Sequence, residues 1–104
     1  MRHRVIFSPE AQEQLAALYR YIAVAASPEV ALHYTNAIVS YCERLGDIPL
    51  IGTRRDDVRP GLRITNYKKR AVIAFAVDVG CVSIIGIFYG GQDFENALQS
   101  DLEE

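Results

Sequence analysis

Seven of the eleven basic residues of this 104-residue chain lie within one stretch, between Arg54 and Arg70. Asp56 and Asp57 are the acids that oppose them, so this basic window carries a charge of +5. Because the whole chain carries −2, the remaining residues together carry −7. Clustered guanidinium and ammonium groups bind phosphates, carboxylates and acidic protein segments. Alternatively, such cations only solubilise the ends of a sheet. The candidate binding residues of the basic window are Arg54, Arg55, Arg59, Arg63, Lys68, Lys69 and Arg70.

Other side chains with distinctive chemistry are sparse. His3, His33, Cys42 and Cys81 lack the spacing of metal ligands, so we expect no metal and no cofactor. The apolar runs are far shorter than the roughly 20 residues that span a bilayer, and residues 1–10 lack the apolar stretch of a signal peptide. Cysteines with apolar neighbours are typical of buried, reduced thiols, which predicts a cytoplasmic protein.

Local patterns predict the elements that position the basic window. Residues 3–7 alternate in polarity like a short strand. The segments Ser8-Pro9-Glu10 and Ser27-Pro28-Glu29 each combine an N-cap serine, a proline in the first turn and an acid, which together start a helix. Apolar stripes at helical spacing follow both segments, and Gly46 is suited to end the second helix. Since so few residues separate the helices, we expect an antiparallel hairpin.

The second half of the chain has the periodicity of strands. Residues 47–61 contain prolines, glycines and charges, which indicates a loop. Residues 62–65, 70–77 and 82–89 are predicted to form a three-stranded antiparallel meander, and the N-terminal strand is free to join an edge. Residues 91–104 should form a C-terminal tail that is partly helical. The sequence thus predicts a single α+β domain, residues 1–104, with both helices packed on one face of the sheet.

The last two predicted strands are apolar on both faces, although two helices cover one face only. We expect one face of strand 82–89 to carry Ile85, Ile87 and Tyr89. These three residues join the candidate binding residues, because exposed apolar strand surface marks an interaction site. Two alternatives are that the C-terminal segment folds over this surface and that the protein associates with itself. The opposite face of the strand should carry Val82, Ile84, Gly86 and Phe88.

Three segments, in order and suitably spaced, resemble the ParE/RelE toxin superfamily of type II toxin–antitoxin modules, also called plasmid-stabilisation proteins. They are IFSPEAQEQLAALYRYI, IPLIGTRRDDVRPGLR, and KRAVIAFAV followed by VSIIGIFYGGQD. The resemblance covers about residues 3–98. Pro49 with Gly52, and Pro60 followed by Gly-Leu-Arg, are closer to the ParE pattern than to the RelE pattern.

The resemblance implies a growth-inhibiting toxin that a cognate ParD-like antitoxin keeps silent. ParE-like toxins poison DNA gyrase by binding it, so the chain is expected not to be an enzyme. Antitoxins of this type lay an extended or helical segment across the toxin, and the basic window with the apolar strands would receive it. The expected assemblies are a homodimer or a toxin–antitoxin hetero-oligomer.

The resemblance leaves a second activity open, because RelE-like toxins cut mRNA in the ribosome on the same scaffold. Such metal-independent cleavage needs cations around the phosphate and an acid and a base. In that case Arg63 and Arg70 would supply the cations and Tyr89 the acid or base. An unperturbed tyrosine titrates near 10, so the simpler interpretation of Tyr89 is a ring packed at the sheet edge. A small interaction domain without toxicity is the third interpretation.

Overall fold

In a computed structural model, the chain folds into a five-stranded sheet. Two helices pack on one face of the sheet and a third packs on the other face. The structure describes residues 2–90, 92 and 94–103, with the backbone alone described for 99–103. Residues 91, 93 and 104 of the predicted tail lie outside the described residues. The elements are β1 (Arg4–Phe7), α1 (Pro9–Ala25), α2 (Pro28–Arg44), β2 (Thr53–Arg54), β3 (Leu62–Tyr67), β4 (Ala71–Asp78), β5 (Cys81–Tyr89) and α3 (Phe94–Glu103).

Both helices of the hairpin begin where the sequence predicts. The Ser8 hydroxyl accepts a hydrogen bond from the Ala11 amide at 3.0 Å, and the Ser27 hydroxyl accepts one from the Val30 amide at 3.1 Å. A proline stands at the start of each helix, where its missing N–H costs nothing. Local capping chemistry therefore sets where α1 and α2 begin.

The strand order is β1-β5-β4-β3-β2, which confirms the predicted meander and the edge position of the N-terminal strand. β1 runs parallel to β5, and the other neighbours pair antiparallel. The fifth strand, β2, lies inside the segment that the sequence predicts to be a loop. Two residues show no periodicity, so this strand is found only through its pairing, Thr53 with Ile64 and Arg54 with Arg63.

A bulge in β5 overturns the predicted faces of that strand. Ala74 of β4 pairs with Gly86 and its neighbour Phe75 pairs with Ile84, so Ile85 is the extra residue. Beyond it the alternation shifts by one residue. Ile87 therefore packs beneath the helices, on the same side as Ile84, whereas Ile85 packs on the opposite face.

The opposite face is covered by α3, which was one of the alternatives considered for the apolar strands. Leu98 is 4% exposed and packs in a cluster with Leu62, Ala74 and Phe88. The rings of Phe88 and Phe94 lie 6.1 Å apart between their centroids. The helix side holds the larger core, to which α1 and α2 contribute Leu18, Ile22, Ile38 and Cys42. In the described part of the chain, no helix is long and apolar enough to cross a membrane.

Candidate functional site

The fold divides the basic window into two groups at opposite ends of β3. Arg63 stands at the start of the strand and pairs with Arg54 of β2. Lys68 follows the last residue of the strand, Tyr67. Successive residues of a strand rise about 3.3 Å, so roughly 13 Å separate Arg63 from Tyr67. We call Arg54, Arg55, Arg59 and Arg63 the arginine group, and Lys68, Lys69 and Arg70 the cationic tip.

The arginine group is engaged inside the molecule. Arg54 forms a salt bridge of 3.0 Å with Asp56. Two nitrogens of Arg55 bind the carboxylate of Asp57, each at 2.9 Å, and one of them also contacts Glu95 of α3. The remaining members bind backbone: Arg59 donates to the Leu98 carbonyl of α3 at 3.1 Å, and Arg63 donates to carbonyls of the loop before β2. Arg55 and Arg59 thus connect to α3, Arg63 connects to the loop before β2, and Arg54 pairs with a close neighbour in sequence.

Arg63 fastens an exposed apolar loop. Its Nε donates to the Ile51 carbonyl at 3.2 Å, and its Nη2 donates to the carbonyl of Leu50. Ile48, Leu50 and Ile51 of this loop are exposed, Leu50 by 71%. The guanidinium predicted to face a phosphate or an antitoxin is thus occupied by backbone oxygens.

The cationic tip has no such partners in the part of the chain that the structure describes. Lys68, Lys69 and Arg70 connect the paired residues Tyr67 and Ala71 of β3 and β4. Lys68 and Lys69 are the central residues of the turn, which the Arg70 amide closes by donating to the Tyr67 carbonyl at 3.1 Å. All three basic side chains are exposed, and none forms a salt bridge with a residue that the structure describes. The Lys68 ammonium lies 5.6 Å from the centroid of the Tyr67 ring.

Four tyrosines from α2, β3 and β5 pack beneath the cationic tip. The ring of Tyr34 meets those of Tyr67 and Tyr89 edge-on, at centroid distances of 5.9 and 5.8 Å. Tyr41 lies 5.3 Å from Tyr67 and shares a hydrogen bond of 2.9 Å with Thr65. The sequence does not predict this tyrosine cluster, because its members lie on α2, β3 and β5 and only the fold brings them together.

The hydroxyl of Tyr34 has an unusual environment. It is buried and has no hydrogen-bond partner among the described residues. Burial, followed by the neighbouring Tyr89 and Tyr67, raises the pKa of Tyr34 above its usual value, and the positive charge of Arg70 partly offsets the rise. The Arg70 guanidinium is therefore close enough to the tyrosine cluster to lower the pKa of Tyr34, although its side chain is exposed to solvent.

The three residues proposed for RNA cleavage are not brought together. Arg70 and Tyr89 are neighbours, because Tyr89 pairs with Ala71 and the next amide, that of Gly90, donates to the Arg70 carbonyl at 3.1 Å. Arg63, however, pairs with Phe75. Arg70 lies five positions before Phe75 along the chain, a distance of roughly 16 Å in extended strand.

The apolar candidates also differ from expectation. Ile87 is 2% exposed in the helix-side core, and Ile85 is half-buried against the cluster that contains Leu98 of α3, so neither offers the free surface that was predicted. Tyr89 lies at an opening instead. Together with Gly90 it borders a groove of about 420 Å³ whose other wall is α1, where Ala17 and Tyr21 are exposed.

A second and larger groove, of about 630 Å³, lies along the free edge of β1. It is lined chiefly by Val5 and Phe7 of the strand and by Leu15, Tyr19 and Val39 of the two helices. Among the described residues, no group of three or more histidine, cysteine, aspartate or glutamate side chains is placed to hold a metal ion.

The model of one protein family, the ParE toxin of type II toxin–antitoxin systems (parDE), matches residues 5–94. The chain therefore belongs to the ParE toxin family, which confirms the resemblance found in its motifs. A comparison with curated protein sequences finds no match.

The fold is shared with solved structures, two of which come from toxin–antitoxin systems. One is the chromosomal ParDE toxin–antitoxin system from P. aeruginosa, at 24% identity and a TM-score of 0.75, over 85% of this chain and 96% of the other. The second is the toxin–antitoxin complex RelBE2 from Mycobacterium tuberculosis, at 18% identity and a TM-score of 0.62, over 86% and 100%. Both likenesses confirm the α+β fold class.

Proposed function

We propose that this ParE-family toxin stops growth by binding DNA gyrase in the cytoplasm, and that a ParD-like antitoxin neutralises it. Membership of the ParE toxin family supports the toxic activity. The shared fold with a ParDE toxin–antitoxin system supports an antitoxin of the ParD kind. Gyrase is favoured as the target because the motifs around Pro49 and Pro60 are closer to ParE than to RelE.

One observation carries the choice of a binding mechanism over catalysis. Arg63 donates to two loop carbonyls and stands about 16 Å along the sheet from Arg70 and Tyr89. RNA cleavage without a metal needs cations, an acid and a base around one phosphate. The arrangement leaves Arg70 and Tyr89 without the second cation that the nuclease interpretation assigned to Arg63.

The second candidate is a ribosome-dependent mRNA endonuclease of the RelE type. The observation in its favour is the close placement of Arg70 and Tyr89 at the ends of β4 and β5, with Lys68 and Lys69 in the adjoining turn. Four groups of the required kinds thus meet at one end of the sheet.

Two assays on one set of variants separate these candidates. The protein is induced by itself, and supercoiling by purified gyrase and mRNA cleavage on translating ribosomes are then measured in parallel. We expect gyrase inhibition without cleavage. The Tyr89→Phe variant keeps the ring and removes the hydroxyl, so it should inhibit gyrase as strongly as the wild type.

Three results would contradict the proposal. Codon-phased mRNA cuts that disappear in Tyr89→Phe would establish the nuclease. Growth inhibition with neither activity would require another target. Absence of growth inhibition would favour the third interpretation, a non-toxic interaction domain that forms homodimers.

A further inference from the structure

We propose that the cationic tip and the adjoining groove between α1 and the end of β5 form one docking site for an acidic, amphipathic segment of the antitoxin. The inference rests on the proposed antitoxin partnership and adds to it the place and the chemistry of binding. Gly90 joins the two parts: its amide binds the Arg70 carbonyl, and its backbone borders the groove beside Tyr89.

The backbone conformation of the cationic tip disfavours lysine, which indicates that Lys68 and Lys69 stand there for the charge of their side chains. Lys68 and Lys69 have φ angles of +51° and +61°, the left-handed conformation that both central residues of a type I′ hairpin turn require. Asparagine and glycine adopt it at little cost, whereas a lysine Cβ is strained there. Strain of this kind is typical of functional sites. An Asn-Gly turn would close the same hairpin more cheaply and would carry no charge.

The tip also concentrates the charge that is free to bind a partner. The four members of the arginine group bind carboxylates or carbonyls of their own chain. Among the residues that the structure describes, the three cations of the tip have no such partner. Since the whole chain carries −2, the rest of the molecule carries −5. An acidic segment is therefore attracted to this end and repelled elsewhere.

The groove determines the second property of the partner. Its α1 wall presents Ala17, Leu18 and Tyr21, and its floor includes Ile87, while Gln14 and Gln92 supply polar groups. Tyr21 is 64% exposed, so its ring is available to apolar side chains of a partner and its hydroxyl to polar ones. Apolar walls beside three cations suit a segment with apolar and acidic side chains better than a nucleic acid, whose charge is spread evenly along its backbone.

The experiment compares the affinity of three variants for the purified product of the gene that adjoins the toxin gene. The Lys68→Asn/Lys69→Gly variant removes two charges and relieves the strained turn. It should bind about tenfold more weakly at low salt, while its melting temperature rises by about 4–8 °C. The Tyr21→Glu variant should also bind about tenfold more weakly without a change in melting temperature, because the side chain is exposed. The Arg20→Asn/Arg44→Asn variant, which removes the same charge from α1 and α2, should bind like the wild type.

The outcomes separate this site from the antitoxin partnership itself. If the adjoining gene product fails to bind the wild-type chain, the partnership is refuted. If it binds the wild type and the Lys68→Asn/Lys69→Gly variant equally well, the docking site alone is refuted, and the tip is ordinary solvated surface. A single-stranded RNA oligonucleotide serves as a second probe: RNA binding tighter than antitoxin binding, and lost in the same variant, would assign the tip to nucleic acid and overturn the proposal.

Discussion

Two glycines, one directly before β2 and one directly before β3, allow a quantitative test of the fold. Gly52 and Gly61 both have positive φ, +85° and +79°. Replacement of either glycine by alanine therefore costs about 1 kcal/mol, because an alanine Cβ is strained in the left-handed backbone conformation. The surroundings differ. A Cβ at Gly52 would lie 2.3 Å from the Ile64 carbonyl oxygen, whereas a Cβ at Gly61 would meet nothing within 4 Å.

The clash at Gly52 adds a second cost that Gly61 lacks. Ile64 pairs with Thr53, so relief of the clash has to displace the backbone that pairs β2 with β3. Loss of this pairing and of the Arg63 bonds to the neighbouring loop should cost about 2 kcal/mol more. We expect Gly61→Ala to lower the free energy of unfolding by about 1 kcal/mol and Gly52→Ala by about 3 kcal/mol.

Urea unfolding followed by circular dichroism measures both values, and hydrogen exchange reports the β2–β3 pairing separately. In Gly52→Ala the amides of β2 should exchange faster, while those of β4 and β5 change no more than global stability requires. Equal destabilisation by the two substitutions would refute the reasoning, because the φ angles match and the contacts of the added Cβ differ. Gly61→Ala thus serves as the internal control.

Three further predictions concern single side chains. Burial raises the pKa of Cys42 to about 12, so a disulfide reagent at mildly alkaline pH should modify Cys81 alone in the native protein and both thiols after denaturation. Tyr34→Phe should leave the free energy of unfolding unchanged or slightly raise it, because the buried hydroxyl has no partner among the described residues, whereas Tyr41→Phe should lower it by about 1 kcal/mol through loss of a hydrogen bond. Hydrogen bonds from the Gly61 amide and then from Arg54 lower the pKa of Asp56. Its carboxylate therefore stabilises the fold above about pH 4 and loses this effect as the pH falls through the folded pKa. The difference in free energy of unfolding between wild type and Asp56→Asn, measured by urea unfolding, should accordingly become smaller in acid.

The elements whose causes are local were predictable from the sequence. The serine hydroxyls that cap α1 and α2 accept hydrogen bonds from amides three residues away. The segments Ser8-Pro9 and Ser27-Pro28 therefore suffice to predict where the two helices begin. The alternation of β4 was likewise correct: Ile73 and Phe75 face the helices and Ala74 faces α3. The order of these elements carried the family motifs, and the family match confirms them.

The register of β5 could not be predicted, because its cause is distant in sequence. The bulge at Ile85 is held from α1 and its cap: the Ser8 hydroxyl donates to the Ile85 carbonyl at 3.0 Å, and Gln14 accepts from the Ile87 amide at 2.7 Å. More than seventy residues lie between the partners of each bond. A pattern read along one strand contains no trace of such contacts, and a single extra residue reverses every later side chain.

The basic window has features that the sequence determines and features that only the tertiary structure determines. The sequence by itself determined that seven cations lie within residues 54–70, that a hairpin turn falls near Lys68, and that the chain has the ParE pattern. Only the tertiary structure decided which of those cations are free. Charges adjacent in sequence lie at opposite ends of one strand, and the partners that occupy the arginine group, such as Glu95 and the Leu98 carbonyl, arrive from the far end of the chain. Net charge is additive along a sequence, but the availability of a charge depends on what the fold places beside it.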